Sequence, residues 1–216
     1  MWVLLLNKNW YGIFHSLCKS WSRFILLCSG LRLDVEYEEV LDPKQAYIIC
    51  PNHVSYIDIP VIFAIMPSVF VFVGKKSLSK IPIFGWVYKK TMILVDRSSN
   101  RSSYNAYKHA SDRIESGIGI TIYPEGGIPD AEVKLNRFKS GAFRLALEHQ
   151  VDIVPVTFVD NKKRFPCGYV GGRPGKLRVF VHKPIAAEGY DLQKIHEFKK
   201  DVYDIINNKL TDYESR

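Results

Sequence analysis

The sequence predicts an α/β fold: a mostly parallel central sheet flanked by helices, with an amphipathic helical segment at the N-terminus. Two observations carry this prediction. Short apolar strand-like runs alternate with helix-like runs through the body of the chain, the order that builds a parallel sheet through crossover connections. The strand-like runs are also apolar almost throughout, as in sheets covered on both faces. The 216 residues are 47% hydrophobic, enough for one domain with a substantial core and too apolar for an intrinsically disordered chain.

Residues 10–28 read as an amphipathic helix. At about 100° per residue, Trp10, Ile13, Phe14, Leu17, Cys18, Trp21, Phe24, Ile25 and Cys28 fall on one side. His15, Ser16, Lys19, Ser22 and Arg23 fall on the other. Lys19 and Arg23 sit mid-segment, which disfavours a bilayer span. A helix lying in a membrane interface fits the pattern, its aromatics at the acyl boundary and Lys8, Lys19, Arg23 and Arg32 facing anionic head groups. The competing reading is a helix packed on the protein's own core. No secretory signal is evident, because residues 1–6 (MWVLLL) are too short and carry no basic start. Residues 1–35 are therefore read as a membrane-interface segment and residues 36–216 as the main domain.

Strands are expected at residues 46–50 (AYIIC), stopped by Pro51, at 69–73 (VFVFV), stopped by Gly74, and at 91–95 (TMILV). Further strands are expected at 119–123 (GITIY), at 153–158 (IVPVTF), which carries a proline, and at 177–182 (LRVFVH). Helices are expected at 59–65, 104–115, 141–149 and 191–210. Residues 161–176 form the one long loop, basic and rich in Gly and Pro.

The net charge of +8 and the isoelectric point near 9.2 call for an anionic partner. There is no zinc finger, RNP-like aromatic string or long basic helix, so nucleic acid is not expected. Cys18, Cys28, Cys50 and Cys167 form no C-x-x-C pair, which argues against a disulfide framework and a structural metal site.

In a parallel sheet, chemistry collects at the carboxyl ends of the strands. Three ends are unusually polar. Asn52-His53-Val54-Ser55-Tyr56-Ile57-Asp58 follows the first strand. Five residues rotate a helix by about 140° from alignment, so His53 and Asp58 cannot share one helical face, but they can meet if the histidine sits on a loop and the aspartate on the first helical turn. The carboxylate would then hold one ring nitrogen and leave the other as a base. The plainer alternative for Asp58, and for Ser55, is helix capping. Tyr123-Pro124-Glu125-Gly126-Gly127 is a tight turn with a projecting carboxylate, or a plain solvated turn. Asp96-Arg97-Ser98 places Arg97 for an anionic group, or for pairing with a nearby acid. A Cys–His hydrolase using Cys50 and His53 is a remote option, since no nucleophile elbow is present.

Taken in order, NHVSYID, LVDR, YPEGG and IVPV resemble the four blocks of the glycerolipid acyltransferases, the 1-acylglycerol-3-phosphate acyltransferase family. The likeness covers roughly residues 45–185, residues 138–141 (FKSG) included, so that residues 36–216 would be the acyltransferase domain. It departs at Thr91, where a glycine is usual, and at Gly127-Ile128, which replace a Thr-Arg pair and remove one phosphate-binding cation. The resemblance implies His53 as base and Asp58 as its orienting partner. It implies Arg97 for an acceptor phosphate and Glu125 with Gly126 for acceptor positioning. Lys75, Arg137 and Lys139 are candidate replacements for the missing cation. The substrate hydroxyl would attack an acyl thioester of coenzyme A or acyl carrier protein, with no metal or resident cofactor. Expected partners are a membrane lipid acceptor, the acyl donor and an anionic membrane surface. The expected place is the cytoplasmic face of a cell membrane, peripheral or monotopic. Lyso-aminolipid or glycerol-3-phosphate acceptors, and a non-catalytic membrane-surface binding protein, are the alternatives.

Overall fold

The computed structural model describes residues 11–82, 84–96, 98–130, 132–166 and 171–214. In chain order the strands are β1 (Leu31–Tyr37), β2 (Ile48–Pro51), β3 (Phe70–Lys75), β4 (Ile93–Val95), β5 (Gly119–Thr121), β6 (Ile153–Phe158) and β7 (Gly175–Val181). The helices are α1 (Tyr11–Cys28), α2 (Asp58–Ile65), α3 (Phe84–Thr91), α4 (Asn100–Glu115), α5 (Gly141–His149), the single turn α6 (Asn161–Arg164) and α7 (Ile195–Glu214). The sheet runs β1-β7-β6-β2-β5-β3-β4. All neighbours pair in parallel except β6 and β7, which are antiparallel.

The continuous apolar strands work as expected because both faces are covered. Ile48, Cys50, Val71 and Ile153 point into a core closed by α4, α5 and α7, with Ala110, Phe143, Phe198 and Ile206 among its members. Ile49, Phe70, Phe72 and Val154 point to the opposite face, beneath Leu26 of α1 and Val61, Ile62 and Ile65 of α2. Pro155 is tolerated in an interior strand because its missing amide falls in a gap of the ladder. An isolated bridge joins Ile153 to Ile185, and the β6–β7 pairing resumes only at Val156.

Three elements were not expected. β1 was folded into the N-terminal segment, and the expected boundary at residue 35 falls inside it. The strand pairs along its whole length with β7, with buried Leu31 and partly buried Leu33 and Val35 alternating with charged residues. α3 follows a 3₁₀ turn at Lys76–Lys80. The long loop also opens with α6 instead of irregular chain.

α1 corrects a second expectation. Its basic residues turn inward. Lys19 Nζ donates to Met66 O at 2.9 Å, Arg23 Nε to Ala64 O at 3.1 Å, and Tyr37 Oη of β1 to Ile65 O at 2.8 Å. Three side chains thus satisfy three successive carbonyls that the end of α2 leaves without helical partners, where the helix dipole also favours cations. Lys19 is half-buried in this arrangement and Arg23 stays exposed while bound to the end of α2. The exposed face of α1 is the apolar one: Ile13, Leu17, Trp21, Phe24, Ile25 and Leu27. Trp21 and Phe24 stack with centroids 5.8 Å apart. Phe14 and Leu26 are buried, and so is His15, from the side expected to be polar. Trp10 and Lys8 lie outside the described residues, among which no helix is long and apolar enough to cross a membrane.

Candidate active site

The carboxyl edge of the sheet carries the site. β2 ends at Pro51, and Asn52 fixes the chain's departure. Its side-chain amide donates to Phe158 O at 3.1 Å and its side-chain oxygen accepts from Phe158 N at 2.7 Å. The exits of β2 and β6 are latched together, and the loop that follows starts from a fixed point.

His53 sits on that loop and Asp58 opens α2, the arrangement their spacing suggests. His53 Nδ1 lies 2.8 Å from Asp58 Oδ2. The same oxygen accepts the amides of Val54 and Ser55 at 2.8 and 2.9 Å. Asn161 Nδ2 donates to Oδ1 at 2.8 Å. Four donors converge on a fully buried carboxylate, a group that only accepts when ionised. The proton of the neutral imidazole is accordingly assigned to Nδ1, which leaves the lone pair on Nε2. Asp58 does not cap α2. It ties down the loop that precedes the helix, while Ser55 Oγ accepts Ile57 N at 3.3 Å and donates to Phe165 O at 2.5 Å.

Tyr123, at the end of β5, stacks on the His53 ring with centroids 3.9 Å apart and planes 22° apart. The stack restrains ring rotation and sets a π face against any positive charge on the imidazole. Burial, with a smaller contribution from the charge of Asp58, pushes the Tyr123 phenol well above its usual range, so it stays neutral. The sequence places Tyr123 at a strand end and in the turn that follows, with no role at the histidine. Its place directly before Pro124-Glu125 was the available signal.

Glu125 is buried, and both its oxygens are engaged on backbone amides, Oε1 on His53 N at 2.7 Å and Oε2 on Asn136 N at 2.8 Å. Burial raises its pKa, and the two amides pull the other way. It holds His53's backbone and the 134–139 loop together, in place of projecting to an acceptor as expected. Gly126 adopts φ +81°, where a Cβ would lie 2.7 Å from Lys139 Nζ. The backbone amide of Lys139 in turn donates to Pro124 O at 2.8 Å. Gly126 and Lys139 line a cavity of about 290 Å³ with Val73, Ser103 and Tyr123. Arg137 lies apart, lining a separate cavity with Lys199, Lys200 and Tyr203.

Lys75 lies at the end of β3 beside Val95 of β4. With Lys76, Lys80, Asp96 and Ser98 it lines a cavity of about 660 Å³. Bonds from Ser98, then the charges of Lys76 and Lys75, lower the Asp96 pKa. Arg97 lies outside the described residues, between two members of that lining. A mostly apolar cavity of about 400 Å³ borders the other side of the histidine loop, walled by Leu26, Tyr56, Ile57, Pro60 and Phe165, with Arg164 and Arg173 at its edge.

Cys50 is fully buried within β2, and burial pushes its thiol far up, so it supplies no nucleophile. Cys167 lies outside the described residues, among which no group of three His, Cys, Asp or Glu side chains could hold a metal ion.

The chain is 30% identical over 189 residues to the 1-acyl-sn-glycerol-3-phosphate acyltransferase of Saccharomyces cerevisiae, covering 86% of this chain and 62% of that one. It is 29% identical over 195 residues to the chloroplastic 1-acyl-sn-glycerol-3-phosphate acyltransferase BAT2 of Brassica napus, covering 88% and 55%. The chain thus spans about half to three-fifths of the length of these relatives. Its fold is that of the 1-acyl-sn-glycerophosphate (LPA) acyltransferase PlsC from Thermotoga maritima, with a TM-score of 0.83 at 20% identity over 100% of this chain and 87% of that one. The family described as Acyltransferase matches residues 32–159, more than half of the sequence and the span that holds His53, Asp58, Tyr123 and Glu125. The chain belongs to the acyltransferase family.

Proposed function

We propose that this protein transfers a fatty acyl group from an acyl thioester to the free hydroxyl of 1-acylglycerol-3-phosphate, giving phosphatidic acid at a membrane surface. The observation that carries this reading is the 2.8 Å contact between His53 Nδ1 and the buried Asp58, in an imidazole that keeps 15% of its side-chain surface open. Nε2 takes the proton of the acceptor hydroxyl as the oxygen attacks the thioester carbonyl. Asp58 and the Tyr123 face stabilise the imidazolium. When the tetrahedral intermediate collapses, the carbon–sulfur bond breaks and the thiolate leaves with the proton from Nε2. The protein itself is never acylated. The amides of His53, Val54, Ser55, Asn136 and Lys139 already have acceptors within the fold, so the oxyanion is met by other donors.

Three features support the remaining parts. The lysines around the 660 Å³ cavity, with Arg97 between Asp96 and Ser98, suit an acceptor phosphate. The relatives' names specify a 1-acyl-sn-glycerol-3-phosphate acceptor. The exposed aromatic and aliphatic face of α1 suits the acyl boundary of a bilayer; the protein would lie on the cytoplasmic face of a cell membrane, peripheral or monotopic. The donor is a thioester of coenzyme A or acyl carrier protein.

Thiol release from palmitoyl-CoA is the test, with lysophosphatidic acid, a lyso-aminolipid and glycerol-3-phosphate as separate acceptors. The expected result is release with lysophosphatidic acid and a loss of about 10²–10⁴-fold or more in His53→Ala with an unchanged circular dichroism spectrum. Release only with another acceptor replaces the substrate. Release unaffected by His53→Ala removes the base, and no release with any acceptor, from palmitoyl-CoA or from palmitoyl acyl carrier protein, leaves the surface-binding alternative.

A further inference from the structure

Asp58's partner on its second oxygen comes from a distant part of the chain. Asn161 is the first residue of α6, is fully buried, and donates from Nδ2 to Asp58 Oδ1 at 2.8 Å. The orientation of its amide follows from chemistry: the carboxylate only accepts, so the nitrogen must face it. Asn161 Oδ1 is buried with no hydrogen-bond partner among the described residues. A buried amide oxygen left unsatisfied is costly, and a residue chosen for packing would not carry it.

The segment around Asn161 is held firmly. Asp160 receives two bonds from the Arg178 guanidinium, at 2.6 and 2.7 Å, and a third from Arg178 N at 3.0 Å. Arg164 N donates to Asp160 O, and Phe165 N to Asn161 O. Phe165 O then accepts Ser55 Oγ. The single helical turn therefore grips the histidine loop twice, through Asp58 and through Ser55, and is itself clamped to β7.

We propose that Asn161 is a positioning residue of the acyl-transfer site, setting the rotation of the Asp58 carboxylate and sharing its charge so that Oδ2 stays aimed at His53 Nδ1. This rests on the functional reading above. Without the Nδ2 donor, Oδ1 is a buried half-carboxylate with no partner, and the carboxylate can rotate away from the ring. With a second carboxylate in its place, two acids share one buried site and must hold a proton between them to coexist.

The test uses the full chain and three variants. Asn161→Leu keeps the branched shape and heavy-atom count, is somewhat larger, and removes the donor. It should lower kcat about 10- to 100-fold, as expected for a lost hydrogen bond to a charged group, with the acceptor KM within twofold. The downfield proton signal of His53 Nδ1–H, which needs no substrate, should shift or broaden. Asn161→Asp should give a kcat/KM profile with a new alkaline limb, because activity requires the shared proton. Lys163→Ala, on the same helical turn and exposed, should match the wild type. If Asn161→Leu does not fold, Asn161→Asp decides. Failure of both to fold assigns Asn161 to the core and overturns the proposal. So does a wild-type rate, pH profile and proton signal in Asn161→Leu. An inactive wild type whose proton signal still responds to Asn161→Leu defeats the functional reading and leaves the network standing.

Discussion

His15 lies in the seam between α1 and the sheet. It meets Phe70 edge-on with centroids 4.7 Å apart, lies 5.6 Å from Phe63, is 5% exposed, and its Nε2 has no hydrogen-bond partner among the described residues. Burial, reinforced by the nearby charge of Lys19, pushes its pKa from 6.5 down to about 4. A histidine whose folded pKa is depressed favours the native state only while neutral. The unfolded chain takes up the proton first, so stability is present above pH 6.5 and is lost as pH falls toward 4. At 1.36 kcal/mol per pKa unit, the full loss is about 3 kcal/mol, of which about 2 kcal/mol is gone by pH 5. This is a large fraction of the stability of an ordinary domain. His15→Phe keeps the ring contacts and removes the titration. Urea unfolding followed by tryptophan fluorescence, in a mild non-ionic detergent, should show the variant gaining about 2 kcal/mol on the wild type between pH 7 and pH 5. An identical gap at both pH values would refute the argument, because it would mean that His15 is protonated equally in the folded and unfolded chain.

Two more outcomes follow from the same geometry. Glu125→Gln sets a side-chain N–H₂ against one of two backbone amides, so one buried bond is lost and its donor is stranded. Thermal unfolding should show a loss of about 2–3 kcal/mol together with lower turnover, and an unchanged melting temperature would contradict the strut role. Serine at both Trp21 and Phe24 should abolish co-sedimentation with vesicles. Wild-type binding should be nearly as strong on neutral phosphatidylcholine as on anionic lipid and should survive raised salt, because Lys19 and Arg23 are already bonded to the carbonyls at the end of α2. Strong salt sensitivity would restore an electrostatic docking face.

The missed elements show where local reading stops. β1 carries a period-two alternation, Leu31, Leu33 and Val35 against Arg32, Asp34 and Glu36. No strand is expected there from the sequence, since nothing local announces that β7 offers a parallel edge. α3 contains a glycine that reads as a breaker. Its place against the preceding 3₁₀ turn requires that residue, because a Cβ on Gly85 would lie 2.2 Å from Ser79 O. The end of α1 was well drawn and its inward face was not. Helical periodicity separates two sides of a helix but does not say which one the protein covers. The unsatisfied carbonyls of α2 decided that.

By itself the sequence determined the layered α/β order and the pairing of His53 with Asp58. Apolar runs and turn residues act over a few neighbours, and a loop-to-helix step of five residues closes one local hydrogen bond. Tertiary structure alone decided what Glu125 holds, that Tyr123 covers the imidazole, and that Asn161, 103 residues from Asp58, completes the carboxylate's partners. Those contacts join the carboxyl ends of strands far apart in the chain, where buried polar atoms must find whatever donors the folded sheet brings to them.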